Sequence, residues 1–168
     1  MTVTYSIRPV READAASIIE ILNPIIEAGM YSIMDKPFAV ADQIEFIRGF
    51  PARGIYHIVV EGESQKALGI QDVMPISSSD IFKHVGDIST FVALDAHQQG
   101  IGRSLSQATF KAAKRLGFLK LRATVRGDNA QALSFYRSQG FEHIGIAQKQ
   151  AFLHGRYVDE ILLERFLK

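Results

Sequence analysis

The sequence predicts an α+β fold with a mixed, mostly antiparallel central sheet flanked by helices. In some segments apolar residues recur every three or four positions, as in amphipathic helices; in others they form short β-branched runs between turn residues. A strand, a helix and a further strand follow each other directly over residues 84–125. That succession implies one parallel strand pair with a crossover helix, inside a sheet that is otherwise antiparallel.

The chain is predicted to begin with a strand followed by a helix. Polar and apolar side chains alternate over residues 4–9, which is typical of a strand. Isoleucine and leucine then recur at helical spacing from Ile18 to Ile25, and Asp14 stands where a helix cap is expected. Pro24 is expected to kink or end this helix, because proline has no backbone N–H to donate.

The next predicted elements are a loop, a second helix and a hairpin. Residues 29–37 form the loop and residues 41–50 the helix. Residues 55–61 and 67–74 are two β-branched or apolar runs separated by the polar residues 62–65. This pattern favours an antiparallel hairpin.

The second half alternates strands and helices. We expect strands over residues 84–94, 119–125, 141–147 and 157–163. A buried helix stripe repeats from Leu105 to Leu116 and ends at Gly117, and a further helix covers residues 130–139. The last two strands are expected to meet at the turn His154 and Gly155.

Length and composition limit the function. The chain has 168 residues, which predicts a single domain over residues 1–168. Its 19 basic and 18 acidic residues give a net charge of +1, without the basic excess that nucleic-acid binding usually demands. The absence of cysteine excludes disulfides and a cysteine nucleophile. The five histidines show no ligand-like spacing, so we expect no metal site.

The sequence also bears on location. No apolar run approaches the ~20 residues that a membrane helix needs, so we expect no membrane partner. The first residues do not resemble a secretory signal, so the cytoplasm is the expected compartment.

Two glycines lie between a predicted strand end and a predicted helix start. Gly100 and Gly102 permit positive φ and a close ligand approach, while Ile101 can point into the core. Backbone N–H groups at a helix N-terminus, together with the helix dipole, favour a phosphate group. The predicted phosphate-binding turn comprises Gln98, Gln99, Gly100, Ile101, Gly102, Arg103 and Ser104.

Two common phosphate sites can be excluded or disfavoured here. A P-loop requires a Gly-Lys-Ser/Thr ending, which the turn lacks. A dinucleotide fingerprint requires a third glycine and an acidic residue at the end of the next strand, where this sequence has Leu105 and Val125 followed by Arg126.

At these residues the chain resembles the GNAT acetyltransferases, whose pyrophosphate loop has two such glycines. His97 occupies the leading position, where the family usually has Gln or Arg. The segment from Asn129 to Phe141 is similar to the family's Asn-x-x-Ala-x-x-x-Tyr-x-x-x-Gly-Phe block. Ile7, Arg8 and Pro9 with Asp14 look like its opening, and residues 154–160 resemble the phosphinothricin and methionine sulfone acetyltransferase branch.

The resemblance implies the GNAT acyl-CoA acyltransferase fold, with acetyl-CoA as co-substrate. It implies backbone contacts from Phe91 and Val92 to the acyl donor, and a cofactor contact from Asn129, which could equally cap its helix. It also makes Tyr136 the general acid that protonates the leaving thiolate; the alternative is a half-buried core tyrosine.

The general base is less determined by the resemblance. Asp87, on the strand that leads into the glycine turn, is the first candidate, and Glu27 and His84 are alternatives. A salt-bridged strand residue is an equally good interpretation of Asp87.

The implied reaction is direct transfer of an acetyl group from acetyl-CoA to a small primary amine, such as an amino acid. Residues 28–38 are expected to hold that acceptor. A non-catalytic acyl-CoA-binding module and an enzyme acting on protein N-termini or lysines are the alternatives. The expected assembly is a homodimer.

Overall fold

The structure is a computed structural model that describes residues 4–62 and 64–168. Glu63, in the predicted hairpin turn, and residues 1–3 lie outside the described residues. Within these described residues, the β-branched and alternating runs form seven strands. These are β1 (Tyr5–Pro9), β2 (Ile55–Glu61), β3 (Ala67–Pro75), β4 (Val85–Val92), β5 (Lys120–Arg126), β6 (Glu142–Leu153) and β7 (Arg156–Phe166).

In the part of the chain that the structure describes, the segments with helical spacing form four α-helices. These are α1 (Ala15–Ala28), α2 (Val40–Arg48), α3 (Ile101–Arg115) and α4 (Ala130–Ser138). None of the helices in the described part of the chain is both long and apolar enough to cross a lipid bilayer.

All seven strands join one sheet in the order β1-β2-β3-β4-β5-β7-β6. The pair β4 and β5 is parallel and α3 forms its crossover, whereas every other neighbouring pair is antiparallel. The predicted α+β class with a mixed, mostly antiparallel sheet is therefore confirmed.

Helix α1 differs from the sequence prediction in two respects. It does not end at Pro24 but continues to Ala28 and ends at Gly29, whose φ is +68°. Pro24 lies on the exposed side, where the carbonyl left without a donor can bind water. Asp14 makes no side-chain cap to α1, because its carboxylate accepts from the Arg11 N–H and from the Arg8 guanidinium.

Strand β6 is longer than the predicted residues 141–147, because its pairing with β7 resumes beyond a register shift after Ala147. The pairing reaches Leu153 and Arg156 on either side of the His154–Gly155 turn. A bulge of this kind interrupts the alternation of apolar side chains that identifies a strand in a sequence.

The side chains of β3 and β4 alternate between two faces of the sheet. Gln71 of β3 bonds to Ser106 of α3, so its side of the sheet is called the α3 face. Tyr56 of β2 accepts a bond from Gln43 of α2, so its side is called the α2 face. Asp72 of β3 pairs across the ladder with Tyr56 and lies on the α2 face.

Candidate active site

Strands β4 and β5 run side by side at first and then separate. The ladder between them ends at the pair Asp87 and Arg122, although β4 continues to Val92 and β5 to Arg126. Within the described residues, β4 therefore has no β5 partner from Ile88 onward. The result is a gap between two strands that are neighbours in the sheet.

The peptide groups of Thr90 and Val92 face this gap. Ala93 N donates to Leu68 O at 2.9 Å, and this bond shows which residues of β4 direct their backbone groups toward β3. Because alternate residues of an antiparallel pair bond to the partner strand, Phe91 also bonds toward β3, and Thr90 and Val92 point away from it. Of the two residues predicted to make backbone contacts, Val92 directs its peptide groups to the gap, whereas the backbone groups of Phe91 bond to β3.

The imidazole of His97 bridges the end of β4 and the start of α4. Its Nε2 lies 3.0 Å from the Val92 carbonyl oxygen, and its Nδ1 lies 3.2 Å from the Gln131 side-chain nitrogen. Since the Gln131 amide donates to Nδ1, Nε2 carries the proton and donates to Val92. The Tyr31 ring packs edge-on against the imidazole, with 6.0 Å between the ring centroids.

The predicted glycine turn leads directly into α3. Gly100 is the N-terminal cap residue with φ +79°, and Gln98 also has positive φ, at +61°. Ile101 is 3% exposed and packs in the core, as predicted. The Ser104 N–H already bonds to the Gly100 carbonyl, and the N–H groups before it have no intrahelical acceptor. Those groups are the donors of the predicted phosphate-binding turn.

Gly102 does not adopt the positive φ that the sequence indicated, while the close approach of a ligand to it stays a prediction. It lies inside α3 without positive φ, so conformational freedom of the backbone does not explain why a glycine stands here. A Cβ at this position would stand 2.8 Å from the Phe135 ring of α4. Gly102 therefore permits α3 and α4 to pack closely, whereas a Cβ at Gly100 would meet no atom within 4 Å.

A cavity of about 820 Å³ connects the gap, the turn and α4. Its volume lies within the range of ligand-binding clefts. The predicted residues that line it are Phe91, Val92, Gln98, Gly100, Ile101, Gly102, Arg103, Asn129 and Tyr136. Gln99 and Ser104 do not line it, because the Gln99 amide bonds to the Asp95 carbonyl and the Ser104 hydroxyl bonds to Tyr5.

Tyr136 reaches the gap from α4. Its side chain is buried against Phe135 and Phe141, and its hydroxyl donates to Thr90 Oγ1 at 3.0 Å. Burial raises the pKa of the phenol above its ordinary value, and the negative charge of Asp72 adds to this rise. Tyr136 consequently holds its proton at neutral pH beside the backbone edge of β4.

A buried polar network supports Thr90 and was missed by sequence reasoning. The Gln71 side-chain amide donates to Thr90 Oγ1 at 2.9 Å and to Ser106 Oγ at 3.1 Å. Gln71 is fully buried, and its Oε1 has no partner among the described residues. The sequence feature that could have indicated this network is a glutamine inside the otherwise apolar run of β3.

Two side chains attach the loop after α1 to this site. Asn129 caps α4 by accepting from the Ala132 N–H, as predicted, and its side-chain nitrogen donates to the Tyr31 carbonyl. Arg126 is buried and donates to the carbonyls of Gly29 and Ser32, each at 2.9 Å. The loop expected to hold the acceptor is thus held against the end of β5 and the start of α4.

Asp87, the first candidate for the base, is ion-paired. Its two carboxylate oxygens accept from Arg122 at 2.8 Å and 3.1 Å, and its side chain is 49% exposed. This matches the alternative interpretation of a salt-bridged strand residue. Glu27 and His84 are both exposed, and no candidate carboxylate or histidine for the base, Asp87 included, is among the residues that line the cavity.

A second carboxylate, missed in the sequence, lies next to Asp87. Asp72 is 7% exposed, and its Oδ1 has no hydrogen-bond partner within the described chain. Burial, together with the charge of Asp87, raises the pKa of Asp72 to about 7. The sequence signal was an aspartate in the interior of a strand that is otherwise buried.

The fold and this site are suited to an extended, phosphate-bearing ligand, because the strand gap and the helix N-terminus open into one cavity. The chain matches the Acetyltransferase (GNAT) domain over residues 7–162. It therefore belongs to the GNAT acetyltransferase family, and the predicted family and enzyme class are confirmed.

Relatives and solved structures agree with this assignment. The chain is 28% identical over 156 residues to the L-amino acid N-acyltransferase MnaT of Escherichia coli (strain K12), covering 92% of this chain and 89% of the relative. It is 25% identical to the phosphinothricin N-acetyltransferase of Alcaligenes faecalis, covering 95% and 81%. A Sinorhizobium meliloti phosphinothricin acetyltransferase in complex with acetyl-CoA has a TM-score of 0.88 at 23% identity, with 99% and 89% covered.

Proposed function

We propose that this enzyme transfers the acetyl group of acetyl-CoA to the primary amine of a small, amino acid-like molecule. The observation that carries the proposal is that Tyr136, whose hydroxyl donates to Thr90, lines one cavity with the α3 N-terminus and the open edge of β4. The two named relatives act, by their names, on L-amino acids and on phosphinothricin, which supports an acceptor of this class.

The residues present fit acetyl-CoA. The phosphate-binding turn offers N–H groups without intrahelical partners, and the space around the Gly100 Cα is open. The gap-facing peptide of Val92 can bond to an extended chain in the way a neighbouring strand would, once His97 releases the Val92 carbonyl. Asn129 lines the same cavity while it caps α4.

Acetyl-CoA supplies an activated thioester, whose carbonyl carbon is attacked by the amine nitrogen while coenzyme A leaves as a thiolate. Backbone N–H groups at the open edge of β4 stabilise negative charge on the carbonyl oxygen. Tyr136 gives its proton to the sulfur, because a phenol held neutral by burial is a suitable acid for a strongly basic thiolate. The transfer is direct, without a covalent enzyme intermediate.

The acceptor lies between the gap and the loop at residues 28–38. Arg126 and Asn129 hold the first part of this loop in place, so its side chains form a stable wall. An enzyme for protein N-termini or lysines would use the same gap, and the experiment below distinguishes the two.

The test is a panel of amines incubated with acetyl-CoA, followed by thiol release and by mass spectrometry of the acetylated product. L-amino acids and phosphinothricin-like amines should react at rates well above lysine-containing and N-terminal peptides. Turnover only with peptides would contradict the small-molecule acceptor. Coenzyme A binding in calorimetry without acetylation of any amine would instead favour the non-catalytic binding module.

We further propose that the enzyme works in the cytoplasm, because acetyl-CoA is a metabolite of the cell interior. We also propose that it forms a homodimer. Apolar side chains exposed along the outer strand β6 and its partner support the dimer, among them Ile144, Ile146, Phe152 and Tyr157. Light scattering of the purified protein tests it, since a monomer at micromolar concentration would contradict this assembly.

A further inference from the structure

Asp72 is a buried carboxylate in the interior of β3. It is more than nine-tenths buried, yet its Oδ1 has no hydrogen-bond partner within the described chain. A buried, unpartnered carboxylate is costly, and such groups concentrate at functional sites.

The position of Asp72 relative to the gap follows from the strand register. Asp72 pairs directly with Ser89, and Gln71 pairs with Thr90. Thr90, which is the partner of the Tyr136 hydroxyl, points to the α3 face, and Asp72 with Ser89 points to the α2 face. Ser89 belongs to the part of β4 that has already separated from β5.

Tyr136 and Asp72 thus flank the same stretch of β4 from opposite faces. An acetyl transfer needs an acid at the leaving sulfur and a base at the incoming nitrogen, and these atoms lie on different sides of the reacting carbon. Burial is the main cause of the raised pKa of Tyr136, and the negative charge of Asp72 adds to it, as expected for two groups on opposite faces of the same short stretch of sheet.

We propose that Asp72, which lies behind the cavity lining, accepts through bridging water the proton that the acceptor ammonium must lose before its nitrogen attacks the thioester. An N–H bond breaks, the electron pair stays on nitrogen, and the proton moves to a carboxylate oxygen of Asp72. This inference rests on the proposed function. It names Asp72 as the general base in place of Asp87, the first candidate from the sequence.

The surroundings explain why Asp72 suits this step better than Asp87. Asp87 is bonded twice to Arg122, which stabilises its charged form, whereas Asp72 has no cationic partner within the described residues. The titratable groups around Asp72 are Tyr56 of β2, Asp87 of β4 and Tyr136 of α4. None of them is cationic, so the carboxylate stays basic enough to take a proton near neutral pH.

The experiment compares Asp72→Asn with Asp87→Asn in the enzyme, using an amine that the unmodified enzyme acetylates. Asp72→Asn should lower kcat by about 10² to 10⁴ with unchanged coenzyme A binding. The unmodified enzyme should show an acid limb in kcat/KM near pH 7, the value of the Asp72 pKa, and the variant should lose it. Asp87→Asn should retain turnover and shift this limb to lower pH, because it removes a neighbouring negative charge.

Asp80→Asn is the matched control, since Asp80 is an exposed carboxylate between β3 and β4. Folding is checked by thermal unfolding at pH 8, where Asp72→Asn should melt no lower than the unmodified enzyme. A folded Asp72→Asn enzyme with near-normal kcat and the same acid limb would overturn the inference and leave the proposed function intact. Loss of turnover in Asp87→Asn alone would return the base to Asp87, and an enzyme that acetylates no amine would overturn both proposals.

Discussion

Tyr136 and Thr90, which are 46 residues apart in the sequence, are joined by a 3.0 Å hydrogen bond in which the phenol donates to the threonine hydroxyl. This bond holds the phenol against the open edge of β4. It also connects α4 to the buried network of Gln71 and Ser106. The acid proposed for the reaction is therefore oriented by the sheet before any substrate binds.

Tyr136→Phe should reduce kcat by about 10² to 10⁴ and leave coenzyme A affinity nearly unchanged. The substitution deletes only the hydroxyl, so the ring keeps its packing on Phe135 and Phe141. Loss of the bond to Thr90 should cost about 1 kcal/mol of unfolding free energy. Steady-state kinetics and calorimetry measure the two effects.

An unchanged kcat together with reduced stability would remove Tyr136 from the mechanism. Thr90→Val is the companion variant, because it removes the acceptor of the bond but keeps the phenol. A smaller loss of turnover is expected there.

Gly100→Asp should abolish coenzyme A binding. The residue has φ +79°, and its Cβ would enter open space at the phosphate-binding turn, where a carboxylate would repel the pyrophosphate. The left-handed backbone conformation adds a strain of roughly 1–2 kcal/mol for a residue with a side chain. Calorimetry with coenzyme A measures the loss of affinity.

Gly117→Asp is the control for backbone strain. Gly117 has φ +83° and equally open surroundings, but it lies beyond the other end of α3. It should lose similar stability and retain coenzyme A binding. Equal affinity losses in both variants would mean that strain, and not charge at the turn, controls binding.

Arg126→Lys should loosen the loop at residues 28–38 and raise KM for the amine several-fold. A lysine ammonium cannot reproduce the four contacts of the guanidinium with Gly29, Ser32 and Asp128. Stability should fall by roughly 2–3 kcal/mol. Urea unfolding and amine kinetics at saturating acetyl-CoA measure the two changes.

Arg48→Lys is the corresponding control, since Arg48 pairs with Glu12 at the surface and is 65% exposed. A surface pair of this kind contributes little to stability, so both KM and unfolding should stay nearly constant. If Arg126→Lys behaves in the same way, the loop does not depend on this clamp.

Asp72 should make stability depend on pH. Its pKa is about 7 in the folded chain against 3.8 as the ordinary value, so between these values the unfolded chain releases a proton that the folded chain keeps. The free energy of unfolding should fall as pH rises from about 4 to 7, by roughly 4 kcal/mol if this group acts alone.

Asp72→Asn should remove that dependence, so the variant gains stability relative to the unmodified protein as the pH rises through this range. Urea unfolding at pH 5 and pH 8 measures the difference between the two proteins at each pH. A constant difference would show that Asp72 is ionised in the folded chain at both values.

The sequence alone determined the elements whose signals are local. Gly100 and Ile101 identify the turn and the start of α3, because a positive φ and a buried anchor are needed within a few residues of each other. The helical spacing of apolar residues predicted the helix that carries Tyr136, and the role proposed for Tyr136 came from the resemblance to the GNAT family. The parallel pair of β4 and β5 followed from the succession of strand, helix and strand, since a crossover connection leaves few other arrangements.

Only the tertiary structure decided which groups meet. The end of the β4 and β5 ladder at Asp87 and Arg122 depends on strands that are 35 residues apart, so no local pattern shows where the gap opens. The same holds for Asp72: an aspartate in a strand can face water or the core, and a shift of one residue in register exchanges the two. Burial and the neighbouring charge, both set by distant contacts, turn an ordinary carboxylate into the proposed base, because the cost of ionisation depends on what surrounds the group and not on its sequence position.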